Sequence, residues 1–314
     1  MTRKICFMID PRRLRTLHAV ATHGTVTAAA AVLGYSGPAV SQQLAALERE
    51  VGVQLTQRDG RTLVLTPAAD VLLAHAEVLF AQLDAAEGDL AALRDEVSGQ
   101  VALACIPSAS AAIVPTAWRA LRAEAAHVRL ELVEMEAEES IPALHRREVD
   151  IAVVHAYAIE PKPLDPTFAV QPLLVDPVWV ALPADHAWAG LDRVELGRLR
   201  DEPFVAARSG TRCADMTQRA CALAGFVPDV VARATDFAVQ LNLVAAGIGV
   251  ALVPELTIRR RPDGVRLVAP AEPISRGVQA VSRRGGDRHP AVRLVLDQLA
   301  AAAAAHRSPA SVPA

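Results

Sequence analysis

The sequence predicts an α/β protein in three parts: an all-α head over residues 8–66, one long linker helix over 67–98, and a two-lobed α/β body over 99–305. Three observations predict it. Capping residues and glycines cut the head into short helical segments. Apolar residues spaced alternately by four and three run through the linker. Beyond Ser98-Gly99, strand-like apolar runs alternate with helical ones.

In the head, Asp10 is an N-cap and Pro11 fits the first helical position; Leu14, Leu17, Val20 and Ala21 then recur at helical spacing up to Gly24. Thr25 caps a second helix, lined by Ala28, Ala29 and Leu33 and stopped by Gly34. Ser36 caps a third, with Pro38 in its first turn, an apolar stripe of Val40, Leu44 and Leu47, and Gly52 as its end. The second helix is too short to stand alone, so it packs between its neighbours, and the pair separated by Gly34-Tyr35 forms a helix-turn-helix. The polar face of the third helix carries Ser41, Gln42, Ala45 and Arg49. Short polar groups at a helix N-terminus suit base edges in a major groove; an ordinary small helical domain would show the same residues as a solvated face. The next segment favours DNA. Val53-Gln54-Leu55 and Leu63-Val64-Leu65 alternate around Arg58-Asp59-Gly60-Arg61, which reads as a hairpin with Asp-Gly at its turn and arginines at its tip, completing a winged helix-turn-helix.

Leu14-Arg15-Thr16-Leu17, Thr25 to Ala30, Tyr35-Ser36-Gly37-Pro38-Ala39-Val40-Ser41-Gln42-Gln43-Leu44, Leu47-Glu48, Val51-Gly52, Leu55, Arg58 and Leu65-Thr66 together resemble the LysR-type transcriptional regulator signature. The resemblance implies double-stranded promoter DNA as a partner, contacted by Thr27, Ser36, Pro38, Ala39, Ser41, Gln42, Arg49, Arg58 and Arg61. It also implies that Met8 stands where such chains begin, leaving residues 1–7 as a dispensable extension. Three positions depart from the pattern. Gly37 replaces a glutamine that would contact DNA. Thr56 replaces a phenylalanine that would anchor the wing. Ala68-Ala69-Asp70 approximates Ala-Gly-Glu.

Thr66 caps and Pro67 opens the linker helix, in which Leu72, Ala76, Leu79, Leu83, Ala86, Leu90, Leu93 and Val97 follow a heptad. Such a stripe predicts self-association through Leu72, Leu79, Leu83, Leu90 and Leu93, and a homodimer or homotetramer whose paired heads read a dyad-symmetric site.

In the body the expected elements are strands at 101–106, 128–135, 149–155, 178–182, 204–207, 230–233, 250–253 and 278–282, with helices at 108–123, 140–148, 213–225, 237–246 and 291–305. The βαβ rhythm implies a parallel sheet, and the Pro161–Pro166 run a crossover. The first lobe is expected over 99–168 and 270–305, the second over 169–269, and the tail 306–314 is expected to be disordered. Ala245 to Pro254 resembles the effector domain of the same family, which is similar to type II periplasmic binding proteins. Gly247 and Gly249 end a helix and enter a strand, the reverse of a dinucleotide loop. That architecture places a small-molecule effector between the lobes, at strand C-termini and helix N-termini. Candidate contacts are Ser108, Ser110, Ser209, Thr211 and Thr235, whose hydroxyls suit a small acid, and His155; the hydroxyl residues could equally be helix caps.

The chain has 314 residues, 52% hydrophobic and 21% charged, enough apolar material for several cores. Its net charge of −3 divides into +4 over 1–66, −6 over 67–98 and −1 beyond: a basic head on an acidic stalk fits a polyanion touching the head alone. No apolar run reaches membrane-spanning length and no export signal follows Arg3-Lys4, so a cytoplasmic protein is expected. Cys6, Cys105, Cys213 and Cys221 form no CxxC pair; no metal site or cofactor is expected. Cys213 and Cys221, eight residues apart on one helix, are about 12 Å apart, too far for a disulfide, and read as buried thiols, with redox sensing the alternative. The nine histidines make no hydrolase or metalloprotease motif, so the expected function is a ligand-modulated transcription regulator rather than an enzyme. The alternative is a DNA-binding regulator whose C-terminal domain serves only oligomerisation.

Overall fold

The structure is a computed structural model describing residues 9–59, 62–93, 97–160, 164–258 and 261–306. The 1–7 extension, Met8, Gly60, Arg61, the Pro161-Lys162-Pro163 part of the crossover and the tail from 307 lie outside the described residues, as do the side chains of Arg58, Asp59 and Thr62.

The head begins with α1 (Pro11–His23), where the Asp10 carboxylate accepts the Arg12 amide at 2.9 Å and Gly24, at φ 71°, ends the helix. Thr25 caps α2 (Val26–Leu33) and Ser36 caps α3 (Gly37–Val51), each accepting the amide three residues on. Leu14, Leu17, Val20, Ala29, Val40, Leu44 and Leu47 form the shared core. The wing is β1 (Thr56–Asp59) paired antiparallel with β2 (Thr62–Leu65). Its first arm starts later than the expected Val53, because Leu55 is drawn into the core, and it continues through Asp59, which pairs with Thr62.

The linker is α4 (Pro67–Ala91), 25 residues long and shorter than the expected 67–98. Glu87 and Asp89 sit in the last turns and no basic residue does; carboxylates there oppose the negative end of the helix dipole and disfavour continuation. One side of α4, formed by Ala69, Ala76, Phe80, Ala85 and Gly88, is buried.

The first lobe contains β3 (Gly99–Cys105), α5 (Pro107–Ala112), α6 (Val114–Glu124), β4 (Val128–Glu134), α7 (Ala137–His145) and β5 (Ile151–Tyr157). The single helix expected at 108–123 is two, broken at Ile113; Pro115 has no amide to carry the ladder across the break. Next come β6 (Phe168–Pro183), β7 (Arg193–Val194), β8 (Pro203–Ala206), α8 (Arg212–Leu223), β9 (Asp229–Arg233), α9 (Phe237–Ala245) and β10 (Ala251–Pro254). The chain closes with β11 (Val265–Pro270), β12 (Ser275–Arg283) and α10 (Pro290–Ala305).

The main sheet has the order β4-β3-β5-β12-β6-β11-β7, with β10 also on β6. It is parallel only across β4, β3 and β5 and between β11 and β7, not throughout as expected; β12 and β6 run antiparallel to their neighbours. The strand expected at 178–182 is the far half of β6. Its near half, from Phe168 to Pro177, pairs with β12, and its far half pairs with β10 and β11. One strand therefore belongs to both lobes. β8 and β9 form a parallel pair attached to β10 through Val250.

α4 is held against the body at two close approaches. A Cβ on Gly88 would lie 2.8 Å from the His289 amide nitrogen. Gly285, at φ 87°, lies against the Ala81 carbonyl with no room for a Cβ. Gly285→Ala therefore meets both backbone strain and a steric clash. It should destabilise the protein by about 1–3 kcal/mol, read as a lower thermal midpoint; an unchanged midpoint would show that α4 does not rest on the body in solution.

Candidate DNA-reading face and effector crevice

α3 divides cleanly by burial. Val40, Leu44 and Leu47 point into the head; Pro38, Ser41, Gln42, Ala45 and Arg49 are exposed, at spacings that keep them on one face. Of the other expected contacts, Thr27 and Ser36 are exposed and Ala39 is half-buried. The Ser36 hydroxyl accepts the Ala39 amide at 3.4 Å, and Arg49 Nε donates to the Ala45 carbonyl at 3.2 Å, laying that guanidinium along the helix. A rod of this width with small donors and acceptors outward can enter a major groove. Arg58's side chain and Arg61 lie outside the described residues.

Glu48 enters the sequence reading only as part of the Leu47-Glu48 element of the family signature. Its Oε1 accepts the amides of Leu55 and Thr56, each at 2.9 Å, and the Thr56 hydroxyl at 3.0 Å. The wing is thus tied to the end of α3 by a charged acceptor. Thr56 supplies by hydrogen bonding an anchor that phenylalanine would supply by packing. Arg13 pairs with Glu50, joining α1 to α3.

The effector candidates separate. Ser108 and His155 are buried, and each has Arg276 as a neighbour. Ser108 Oγ accepts from Arg276 Nη2 at 2.9 Å, and Arg276 Nε donates to Asp176 at 2.7 Å; Asp176 also accepts the Leu256 amide at 2.8 Å. His155 Nε2 lies 3.9 Å from Cys213 Sγ, which is 3.3 Å from the Tyr157 hydroxyl. Ser110 donates to the Cys105 carbonyl at 3.4 Å, and Thr211 caps α8. Ser209 and Thr235 are exposed, and the cap of α9 is Asp236. Sequence reasoning missed Arg276, Asp176, Tyr157 and Arg212. Arg276 and Asp176 occupy strand positions that expose or bury a side chain with equal ease, and only the pairing of β12 with β6 brings them opposite.

Arg212 bridges the two lobes. Arg212 on α8 donates Nε to Glu138 on α7 at 3.0 Å and Nη1 to the His155 carbonyl at 3.4 Å. Burial, then the nearby Arg276 and Arg212 charges, push His155 well below the usual histidine range, so its ring is neutral; its Nδ1 is buried without a hydrogen-bond partner. Burial also raises the Cys213 thiol, and pushes Cys105 and Cys221 up to about 12. All three are free, buried and protonated at neutral pH, which favours the reading as structural thiols.

On α4, Leu79, Leu83 and Leu90 are exposed, joined by Val71 and Val78; Leu93, beyond the helix end, is 80% exposed. Leu72 instead packs against the head's core. Among the described residues no helix is long and apolar enough to cross a membrane, and no cluster of histidine, cysteine and acidic residues could hold a metal.

Two family models match the chain. The bacterial regulatory helix-turn-helix protein, lysR family, covers residues 11–70, and the LysR substrate binding domain covers residues 94–304. The chain is 29% identical over 265 residues to the transcriptional dual regulator GltC of Bacillus subtilis (strain 168), spanning 84% of this chain and 87% of that one. It is 31% identical over 251 residues to the HTH-type transcriptional regulator AlsR of the same organism, spanning 78% and 80%. A full-length OxyR variant from Pseudomonas aeruginosa shares the fold with a TM-score of 0.66 at 20% identity, covering 93% of this chain and 95% of that one.

The neutral His155 sets a pH dependence. Its folded pKa is depressed, so below about pH 6.5 the unfolded chain binds a proton that the folded chain does not, and stability falls as pH drops through that value. His145, lowered chiefly by burial, adds in the same direction. Denaturant titrations between neutral and mildly acidic pH should show this slope, and His155→Gln should flatten it; an equal slope in the variant would mean His155 titrates normally.

Proposed function

This chain belongs to the LysR family of transcriptional regulators, and on that premise we propose that the exposed face of α3 reads promoter DNA and that a small acid between the lobes modulates that reading. The observation that carries the first half is the row Pro38, Ser41, Gln42, Ala45 and Arg49, polar or small and outward, on a helix capped at Ser36 and braced through Glu48. Gln42 has the donor and acceptor to pair bidentately with adenine; Arg49 suits a phosphate. Thr27, Ser36 and Ala39 are taken as its flanking contacts, and Arg58 and Arg61 of the wing sequence as phosphate contacts. The chain works as a homodimer, or a homotetramer built of such dimers, joined through Leu79, Leu83, Leu90 and Leu93, apolar side chains otherwise left to solvent. A partner of this kind makes the cytoplasm the working compartment.

The second half is supported by the buried Arg276 guanidinium, reached through Ser108, and by the Arg212–Glu138 pair across the crevice. Both arginines favour an anion. An acid that draws Arg212 from Glu138 changes the closure of the lobes.

On a promoter fragment, footprints should show dyad symmetry. Gln42→Ala should cost about 1–3 kcal/mol at one base position, whereas Arg49→Ala should weaken all sequences alike and flatten the salt dependence. A uniform loss from Gln42→Ala would refute base readout by that residue. In a thermal-shift panel of small carboxylic acids, a crevice ligand should raise the melting midpoint of the wild type and not of Arg212→Ala. Midpoints unmoved by any acid would support a C-terminal domain that serves oligomerisation alone.

A further inference from the structure

The wing is held at its root from two sides. β1 and β2 are four residues each, and a two-stranded hairpin is marginal by itself in water. Leu55 is buried in the head, and Leu63 and Leu65 pack against the same core, but apolar contact is non-directional and leaves the tilt of a hairpin free. The polar contacts do not. Glu48 on α3 takes three donors from the first arm with one oxygen, Oε1: the Leu55 amide, the Thr56 amide and the Thr56 hydroxyl. A charged acceptor makes such bonds short and about twice as strong as neutral ones. The third bond exists because threonine stands at position 56; the phenylalanine of the family signature has no side-chain donor to offer. From the second arm, the Thr66 amide donates to the Leu55 carbonyl at 3.0 Å and its hydroxyl to the Gln54 carbonyl at 2.8 Å. The same hydroxyl accepts the Ala69 amide at 3.3 Å and caps α4. Residues 54–56 are therefore clasped between the end of α3 and the start of the linker.

We propose that Glu48, Thr56 and Thr66 are positioning residues for DNA binding: their bonds at the wing root fix its tilt against α3 and so bring the wing arginines to phosphates. This role rests on the reading of α3 and the wing as the DNA-contacting face. Leverage makes the tilt matter. From Thr56 to Asp59 the first arm is about 10 Å long, so a tilt of about 10° at the root displaces its far end by about 2 Å, more than a hydrogen bond to a phosphate tolerates. None of the three needs to touch DNA. A carboxylate near a polyanion is unfavourable in itself, so Glu48 contributes through what it holds. The clasp adds affinity and leaves base choice to α3. Because Thr66 belongs both to the wing root and to the cap of α4, the tilt also follows the direction in which the linker leaves the head.

The test is anisotropy titration of the full chain, over a range of salt, with a duplex that the wild type enriches from a randomised pool. A second duplex is altered at the base pair where Gln42→Ala relaxes the preference, and the ratio of the two affinities reads base choice. Arg58→Ala/Arg61→Ala should lower the salt slope by about two and leave the ratio unchanged. Glu48→Ala should weaken binding about tenfold and lower the slope by about one, again with the ratio unchanged. Glu48→Gln loses the same charge but keeps the acceptor, and should restore wild-type binding and slope. Thr66→Asp still caps α4 but has no hydrogen for the Gln54 carbonyl, and should weaken binding as Glu48→Ala does. Added to Arg58→Ala/Arg61→Ala, neither substitution should cost more than about twofold further, since nothing is left for the wing to position. Thr56→Val removes one bond of three; it should cost about threefold and carries the test if Glu48→Ala does not fold. A head that is merely less stable would bind with the full salt slope in its folded fraction. The role is overturned by Glu48→Ala or Thr56→Val binding as the wild type does, by a loss that leaves the slope intact, or by losses that add in full to those of the arginine variant. A wild type that enriches no duplex would instead sink the assignment of α3, and this role with it.

Discussion

The packing of α4 along the body is the constraint on which the rest of the architecture depends. It rests on two glycines and one carboxylate. Gly88 and Gly285 let backbones approach to a distance that any side chain would forbid. Asp84 then pairs with Arg147 and faces Arg283. Exposed ion pairs contribute little, but Asp84 is nearly enclosed, so losing one partner would leave a shielded charge uncompensated. His18 Nε2 lies 2.6 Å from Glu77 on the same helix, attaching the head to the linker one register away. Burial of the Ala69-Ala76-Phe80 side fixes which apolar residues remain outside. The outward stripe is a consequence of the inward one.

The body has its own constraint in β6. Because its near half belongs to the sheet of the first lobe and its far half to the second, the lobes cannot separate without bending or twisting this strand. Asp176 lies at the changeover, paired with Arg276 and bonded to the Leu256 amide. A buried ion pair is weak evidence for stability, since desolvation offsets much of the attraction. Its value here is positional: Ser108 from α5, Asp176 from β6 and Arg276 from β12 are held in one cluster at the hinge.

How much of this could be read in the sequence depended on whether the signal was local. The caps Asp10, Thr25, Ser36 and Thr66 and the stops at Gly24, Gly34 and Gly52 act through bonds within a few residues, and all were readable. The outward face of α3 followed from periodicity. The end of α4 was misjudged because the heptad continues past Ala91 while the acidic residues oppose the helix there. β6 was half seen: Gln171, Pro172, Asp176 and Pro177 break any apolar run, although the backbone stays extended between β12 and its other partners. β7 is two residues long and carries no period. In the crevice, Ser108 was picked out because it follows an expected strand and His155 because it stands at the end of one, although β5 runs on through Tyr157. Arg276, Asp176 and Arg212 were not, since only tertiary pairing brings them there.

β12 joins these two constraints. It carries Arg276, the cation of the crevice, at one end and Arg283, which faces Asp84 of the linker, at the other. Seven residues of strand span roughly 24 Å. The strand is hydrogen-bonded on both sides, to β5 and to β6, so it moves with the sheet rather than alone. A displacement at Arg276 then has two outlets. It can be absorbed where the pairing with β6 slips register, between Val278 and Gln279, or it can reach Arg283 and alter the seat of α4. The pairing with β5 has no such slip across the same residues, which limits the first outlet. On the proposed reading of the crevice the geometry favours transmission: a ligand that moved Arg276 would shift the seat of the linker through β12, and with it the spacing of any pair of heads the linkers carry.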